Sequence, residues 1–217
     1  MQADLERADL DVVLAGQRMA LLGDRALWWP DRDAVLLSDL HLGKADIFRR
    51  AGIALPHGGT AADLLRLGGI VARTGCTQLW ILGDVLHGPA HRAAWYRQWL
   101  AWREHHAALQ VHVVAGNHDR ALPHAALGVH IHAEAVDLDG IVLRHEPAAC
   151  EGRHVIAGHL HPQAALRGMT RRWPAFWLRD GITVLPAFSG FTAGVVPRLG
   201  PGERLVACVE GAAIALG

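Results

Sequence analysis

The chain has 217 residues, 51% of them apolar. That excludes a disordered segment and suffices for one domain, residues 1–217, with a sizeable core. Its 21 basic side chains cancel its 21 acidic ones, so no polycationic surface for duplex DNA or an anionic membrane is expected.

Four short strands come first, at 11–14, 18–22, 26–29 and 34–37, divided by turn signals at Gly16, Gly23-Asp24 and Pro30-Asp31. A short helix follows Gly43 and runs through Ile47 and Arg50. Thr60 and Asp63 form a capping-box pattern ahead of a second helix. Its apolar positions are Leu64, Leu65, Leu67, Ile70 and Val71, and Gly68-Gly69 weakens it. A strand at 78–82 ends in Gly83-Asp84. A helix at about 90–107 places Trp95, Trp99 and Trp102 at core spacing. A strand at 111–114 ends in Gly116-Asn117-His118-Asp119.

The pattern then changes. Residues 136–143 read as a hairpin with an Asp-Gly turn, and a strand at 155–157 ends in Gly158-His159. Residues 179–184 read as a second Asp-Gly hairpin, and 205–209 with 212–216 as a third, turning at Glu210-Gly211. Strands alternate with helices in the front half, and the back half is mostly strand. Two sheets with helices outside fit that order.

Cys76, Cys150 and Cys208 are too scattered for a disulfide framework and point to a reducing compartment. The first ten residues lack a signal-peptide hydrophobic region, and no apolar run is long enough to span a bilayer. A soluble, cytoplasmic protein without membrane partners is expected.

The chemistry sits at strand ends, where catalytic loops of open α/β sheets collect. Asp39 and His41, Asp84, Asn117 and His118, then His159 and His161 all follow predicted strands, as does His145. In extended backbone, Asp-x-His and His-x-His each present two ligands on one face. Each piece alone is common, but the ordered series points to a metal site.

That series resembles the calcineurin-like metallophosphoesterase superfamily, whose pattern is Asp-x-His, Gly-Asp, Gly-Asn-His-[Asp/Glu], His and Gly-His-x-His. Every element is present in order across residues 39–161. The resemblance implies an α/β fold of two mixed β-sheets packed as a sandwich and flanked by helices, α/β/β/α. The words "SDLHLGK", "GDVLHG", "RHEP", "GHLHP" and "LPAFSGFTAG" are similar to one bacterial branch, a small phosphoesterase found beside a DNA ligase and a helicase in repair gene clusters.

Carried over, the resemblance implies that Asp39, His41 and His161 hold a first metal, that Asn117, His145 and His159 hold a second, and that Asp84 bridges them. His124, His130 and His132 compete with His145 for its place; His145 is favoured because it directly follows an apolar strand. The oxygen and imidazole set suits two divalent ions, Mn²⁺ first, with Fe or Zn possible. Such a pair clamps phosphate and activates water. His118 carries no metal in the family and is expected to act as general acid, with Asp119 either orienting it or capping the next helix.

Protein phosphatases of the superfamily carry Asp-Arg where this chain has His87-Gly88, which counts against a phosphoprotein substrate. His87 either faces the phosphate, supports the ligands or is a plain surface histidine, and Lys44 is a candidate to reach a substrate phosphate. Arg49-Arg50 and Arg171-Arg172 can contact phosphates, although a solvated charge pair is the commoner outcome. Trp28, Trp29, Phe48 and Trp173 can stack on bases or, more commonly, pack internally. The implied function is a phosphodiesterase that nicks DNA, preferably single-stranded, in repair, in functional association with the ligase and helicase. A small-molecule phosphoesterase acting on a nucleotide or lipid headgroup is the alternative. A non-catalytic scaffold is disfavoured, because all seven ligands and His118 are kept.

Overall fold

Short apolar runs divided by turn signals give antiparallel strands at the front of the chain. In the computed structural model, which describes residues 8–50, 52, 58–87, 94–190 and 192–216, these are β1 (Leu10–Leu14), β2 (Gln17–Leu22), β3 (Ala26–Trp29) and β4 (Ala34–Leu37). They pair in chain order. β4 is buried at every position, as a strand covered on both faces must be. From β4 the sheet turns parallel through β5 (Gln78–Leu82), β6 (Gln110–Val114) and β7 (His130–His132).

Parallel neighbours need crossovers, usually helical. α1 (Lys44–Arg50) and α2 (Gly59–Thr74) lie between β4 and β5, and α3 (Ala94–His105) between β5 and β6. Leu64, Leu67 and Ile70 of α2 and Trp95, Trp99 and Trp102 of α3 pack with Val35, Leu37, Leu79, Ile81, Val111 and Val113 of the sheet. The indole N–H of Trp99 donates to the Leu127 carbonyl at 2.9 Å, so a large buried side chain keeps its polar group satisfied.

The second sheet holds β8 (Val136–Leu138), β9 (Ile141–Leu143), β10 (His154–Ala157), β11 (Gln163–Ala165), β12 (Arg172–Arg179), β13 (Ile182–Val184), β14 (Arg204–Val209) and β15 (Ala212–Leu216). Its order is β15-β14-β12-β13-β10-β9-β8, with β11 on β12. β9, β10 and β13 run parallel, and the remaining pairs are antiparallel. Asp139 (φ 52) with Gly140 (φ 88), and Glu210 (φ 50) with Gly211 (φ 89), close two hairpins. Both central residues are left-handed, as a turn matching strand twist requires.

Between the sheets, Leu21, Leu27, Trp29, Leu36, Trp80 and Leu82 meet Ile141, Leu143, Ile156, Phe176, Leu185 and Val206. On the outer face of the second sheet, Trp173 and Trp177 pack with Ala164, Ala175 and Ala207. The helices α2 and α3 lie on the first sheet. No described helix is long and apolar enough to cross a membrane.

Three local expectations change. α2 begins at Gly59 with left-handed Gly58 as its cap and no side-chain capping bond, so Thr60 lies inside the helix. Asp63 instead accepts the Gly190 N–H at 3.2 Å and pairs with Arg66 at 2.8 Å. β7 and β11 were not expected, and β12 extends back from the anticipated hairpin through Pro174 to Arg172. α3 begins at Ala94; residues 90–93, the expected start, lie outside the described residues.

Phe176 is fully buried between the sheets. Replacing it with alanine should cost about 3–5 kcal/mol, seen as a lower urea midpoint with an unchanged slope.

Candidate metal centre

The carboxyl ends of parallel strands face one way, so β4, β5 and β6 deliver their loops to one lip and β9 and β10 deliver theirs beside it. The loop after β13 ties the two sets together. The Phe188 N–H donates to the Ser38 carbonyl at 2.9 Å, and the Ser189 N–H to the Asp39 carbonyl at 3.2 Å. The same loop is anchored from α2 by Asp63, and by Arg66, which donates to the Phe188 carbonyl.

Asp39, His41, Asp84, His159 and His161 all have left-handed backbones, with φ from 48 to 71. Such residues are uncommon outside glycine and cost of order 1–3 kcal/mol each. Asp-x-His and His-x-His are therefore turns rather than the extended segments expected from sequence. Backbone bonds hold them: Asp39 N–H to Gly83 O at 3.1 Å, His41 N–H to Asp84 O at 2.9 Å and Leu42 N–H to Val85 O at 2.7 Å. Gly158 is needed where the sheets meet, because a Cβ there would lie 2.5 Å from Ser38 Cβ and 2.7 Å from Asp39 Oδ2.

Two groups of side chains converge. Asp39, His41 and His161 form one, and Asp39, Asp84 and His145 the other, with the facing atoms of each group within 4.8 Å of one another. Asp39 is common to both groups. Nδ1–H of His161 donates to the Ala193 carbonyl at 3.0 Å, which leaves Nε2 facing Asp39 Oδ1 at 3.1 Å. Nδ1–H of His145 donates to the Leu82 carbonyl at 3.0 Å. Its Nε2 then meets Asn117 Oδ1 at 3.0 Å, His159 Nδ1 at 3.1 Å and Asp84 Oδ1 at 3.5 Å.

These atoms are predominantly acceptors, and several have no hydrogen-bond partner. Asp39 Oδ1, both ring nitrogens of His41 and His161 Nε2 are buried without one. A buried polar atom left unpaired costs about 1–3 kcal/mol. Four together at one lip fit a cation, and the oxygen–imidazole set suits a borderline or hard divalent ion.

The electrostatics of His41 and Asp39 agree with that reading, whereas Asp39 favours a proton on His161 that a cation would displace. Burial, then Lys44, drives the His41 pKa down to about 3, so its ring stays neutral and keeps a lone pair. Burial works to raise the Asp39 pKa, but His161, Ser38 and His145 outweigh it and the carboxyl titrates below its ordinary range. Burial likewise opposes charge on His161, but Asp39 wins and raises its pKa.

The remaining candidates fall around this core. His118 is half exposed; its N–H donates to Asp84 Oδ1 at 3.0 Å, and its Nε2 lies 4.0 Å from Asp84 Oδ2. The His87 ring lies 5.3 Å from that of His41 and 5.4 Å from that of His118, with Phe48 stacked on it. Lys44 is partly buried at the start of α1; burial lowers its pKa, against the pull of Asp39 and Asp84. Both carboxylate oxygens of Asp119 are taken by backbone, from Gly116 N–H at 2.9 Å and Leu86 N–H at 3.0 Å. It ties the Asp84 loop to the Asn117 loop and is not bonded to the His118 ring. His130 and His132 lie on β7 beside His112, and His124 ends a 3-10 turn. Of the four competing histidines, His145 is the one grouped with Asp39 and Asp84. Sequence reading missed Ser38, Asp63 and Arg66 as supports, because nothing local marks a contact with the 185–190 loop.

No family model matches the chain, and no curated protein does. Among solved structures it is similar to a nuclease of Pseudomonas putida, MPE, at 36% identity and TM-score 0.84, over 96% of this chain and all of that one. It is also similar to YfcE, a phosphoesterase from E. coli, at 20% identity and TM-score 0.48, over 84% of this chain and 96% of that one. The fold, the site and the first of these likenesses define a class: the chain belongs to the metallophosphoesterase superfamily. Within it, the chain is similar to the Pseudomonas nuclease over nearly its full length.

The His41 shift has a consequence for stability. Its folded value of about 3 lies below the ordinary 6.5, so on acidification the unfolded chain takes up a proton that the folded chain refuses. Stability is therefore lost as pH falls from about 6.5 towards 3. Metal-free protein unfolded by urea at about pH 7.5 and about pH 5 should lose more stability between them than His41→Gln does. Equal losses would contradict the buried neutral imidazole.

Proposed function

We propose that the chain is a phosphodiesterase that uses two divalent cations, Mn²⁺ in preference to Fe or Zn, and cuts DNA internally, single strands first. The observation that carries this reading is the cluster of unpaired, buried acceptor atoms around Asp39 at the lip of both sheets. Likeness to a nuclease over the whole chain supports the substrate class. In this reading Asp39, His41 and His161 hold one cation, Asn117, His145 and His159 the other, and Asp84 serves both. When bound, such ions polarise a phosphate and lower the pKa of water.

The chain's own groups do the rest. The Leu82 and Ala193 carbonyls fix the tautomers of His145 and His161, so that Nε2 of each points into the site. Asp84 holds the His118 backbone, which aims a half-exposed imidazole across the mouth. His118 gives a proton to the departing sugar oxygen. Lys44 and His87 face the substrate phosphate from the α1 side. The cytoplasmic enzyme works in DNA repair alongside a ligase and a helicase, a role supported by the flanking motifs.

Purified protein with Mn²⁺ should cut circular single-stranded DNA, which offers no end to an exonuclease. Duplex should be cut more slowly. Asp84→Ala should abolish hydrolysis of every substrate, and near-parental turnover by that variant would sink the two-cation assignment. Cleavage of bis-p-nitrophenyl phosphate without cleavage of either DNA form would move the reading to a small-molecule esterase.

His118→Ala should keep its bound metal, since all seven proposed ligands remain. DNA cleavage should fall on the order of 10²–10⁴-fold, the usual worth of a general acid. The nitrophenyl diester, whose leaving group needs no proton, should suffer less. Equal losses on both substrates would remove the acid role, and loss of metal would make His118 a ligand.

A further inference from the structure

Beside His161 the lip opens into a cavity of about 200 Å³ whose lining includes Arg25, Arg171, Arg172, Gln163, Ser189 and Thr192. No carboxylate is among its described lining residues. Elsewhere, arginines of this region are answered: Arg66 by Asp63, and Arg73 by Asp9 and Asp24. Arg25 is fixed in the wall by its bonds to the Phe188 and Ser189 carbonyls at 3.3 and 3.1 Å. The Arg171 guanidinium lies 4.0 Å over the ring of buried Trp173, which orients it without neutralising it. Burial lowers the Arg25 pKa to about 10, and Arg66 and Arg171 push the same way. Thr192 Oγ1 is buried with no partner. Arginines gathered beside an unpaired hydroxyl with no carboxylate in the described lining suit an anion. The planar forks of arginine match phosphate oxygens.

We infer that this cavity is a second phosphate subsite, which takes a non-cleaved phosphodiester of the same DNA strand whose neighbouring linkage lies at the metal centre. The assignment rests on the nuclease reading and extends it: His161 belongs both to the candidate metal centre and to the cavity wall, so a strand leaving the centre on that side meets Arg171 and Arg172 next. It also explains how a chain of zero formal net charge holds a polyanion. The positive charge is local to the path of one strand.

The double variant Arg171→Ala/Arg172→Ala tests this, because both residues are exposed and neither is placed at the metal centre. With Mn²⁺ present, KM for single-stranded DNA should rise at least about tenfold, the worth of one charge-assisted hydrogen bond. The kcat should change little. Hydrolysis of bis-p-nitrophenyl phosphate, which has no second phosphate, should match the parent and show that the fold is intact. Anisotropy of a labelled short thymidylate strand over a salt series should give a log–log slope flatter by about 0.7 for each phosphate that the arginines no longer neutralise. Lysine at both positions should restore the slope. An unchanged slope and KM, or equal losses on DNA and the nitrophenyl diester, would overturn the subsite. A variant altered only in its inhibition by inorganic phosphate would make the cavity a product site and also overturn it. If the parent cuts no DNA, the nuclease reading fails by itself, and the anisotropy slope still decides whether the arginines hold a strand.

Discussion

Everything at the lip depends on one buried carboxylate. Asp39 is wholly inaccessible to solvent, and burying a charge is costly unless it is paired. Its Oδ2 accepts the His159 N–H at 3.1 Å, and its carbonyl accepts the Ser189 N–H. Its Oδ1 faces His161 with no hydrogen-bond partner. One residue from the first sheet thus fastens a loop of the second sheet on each side and leaves one oxygen for a cation. Remove that carboxylate and the His159 loop loses its tie to the first sheet, while the backbone bonds to Phe188 and Ser189 remain.

The fold stores strain to achieve this. Five of the eleven described non-glycine residues with positive φ are Asp39, His41, Asp84, His159 and His161. A packed scaffold is what makes such backbones tolerable. Parallel ladders fix the strand ends, and Asp119 ties two loops by accepting Gly116 and Leu86 N–H groups. Asp63 and Arg66 hold the 185–190 loop from the helix layer. α2 thus acts on the site through this loop.

Net charge is a poor guide to polyanion binding when the field is local. Twenty-one positive charges balance twenty-one negative ones over the chain, yet Arg25, Arg171 and Arg172 share a cavity lined by no described carboxylate. A bound divalent ion is the largest local charge in any such site, so a neutral chain need not present a basic face.

Much of this was legible from local pattern. The front strands, the parallel strand at 78–82, the core tryptophans of α3 and the Asp-Gly hairpins follow from periodicity and turn chemistry, which act within a few residues. The candidate ligands and their places at strand ends were equally legible, because acids and imidazoles stand directly after apolar runs. What the sequence could not settle involves distant partners. Asp63 looks like part of a capping box but faces Gly190, 127 residues away. His159 meets Asp39 across 120 residues. Three histidines compete with His145 until the loop after β5 packs against it. Arg171-Arg172 reads as a solvated pair and both residues are exposed, but their place beside His161 comes only from the second sheet. Local pattern sets the chemistry available and the elements that carry it. Which of those groups share a space follows from packing, because burial and unpaired polar atoms arise between segments that no local pattern connects.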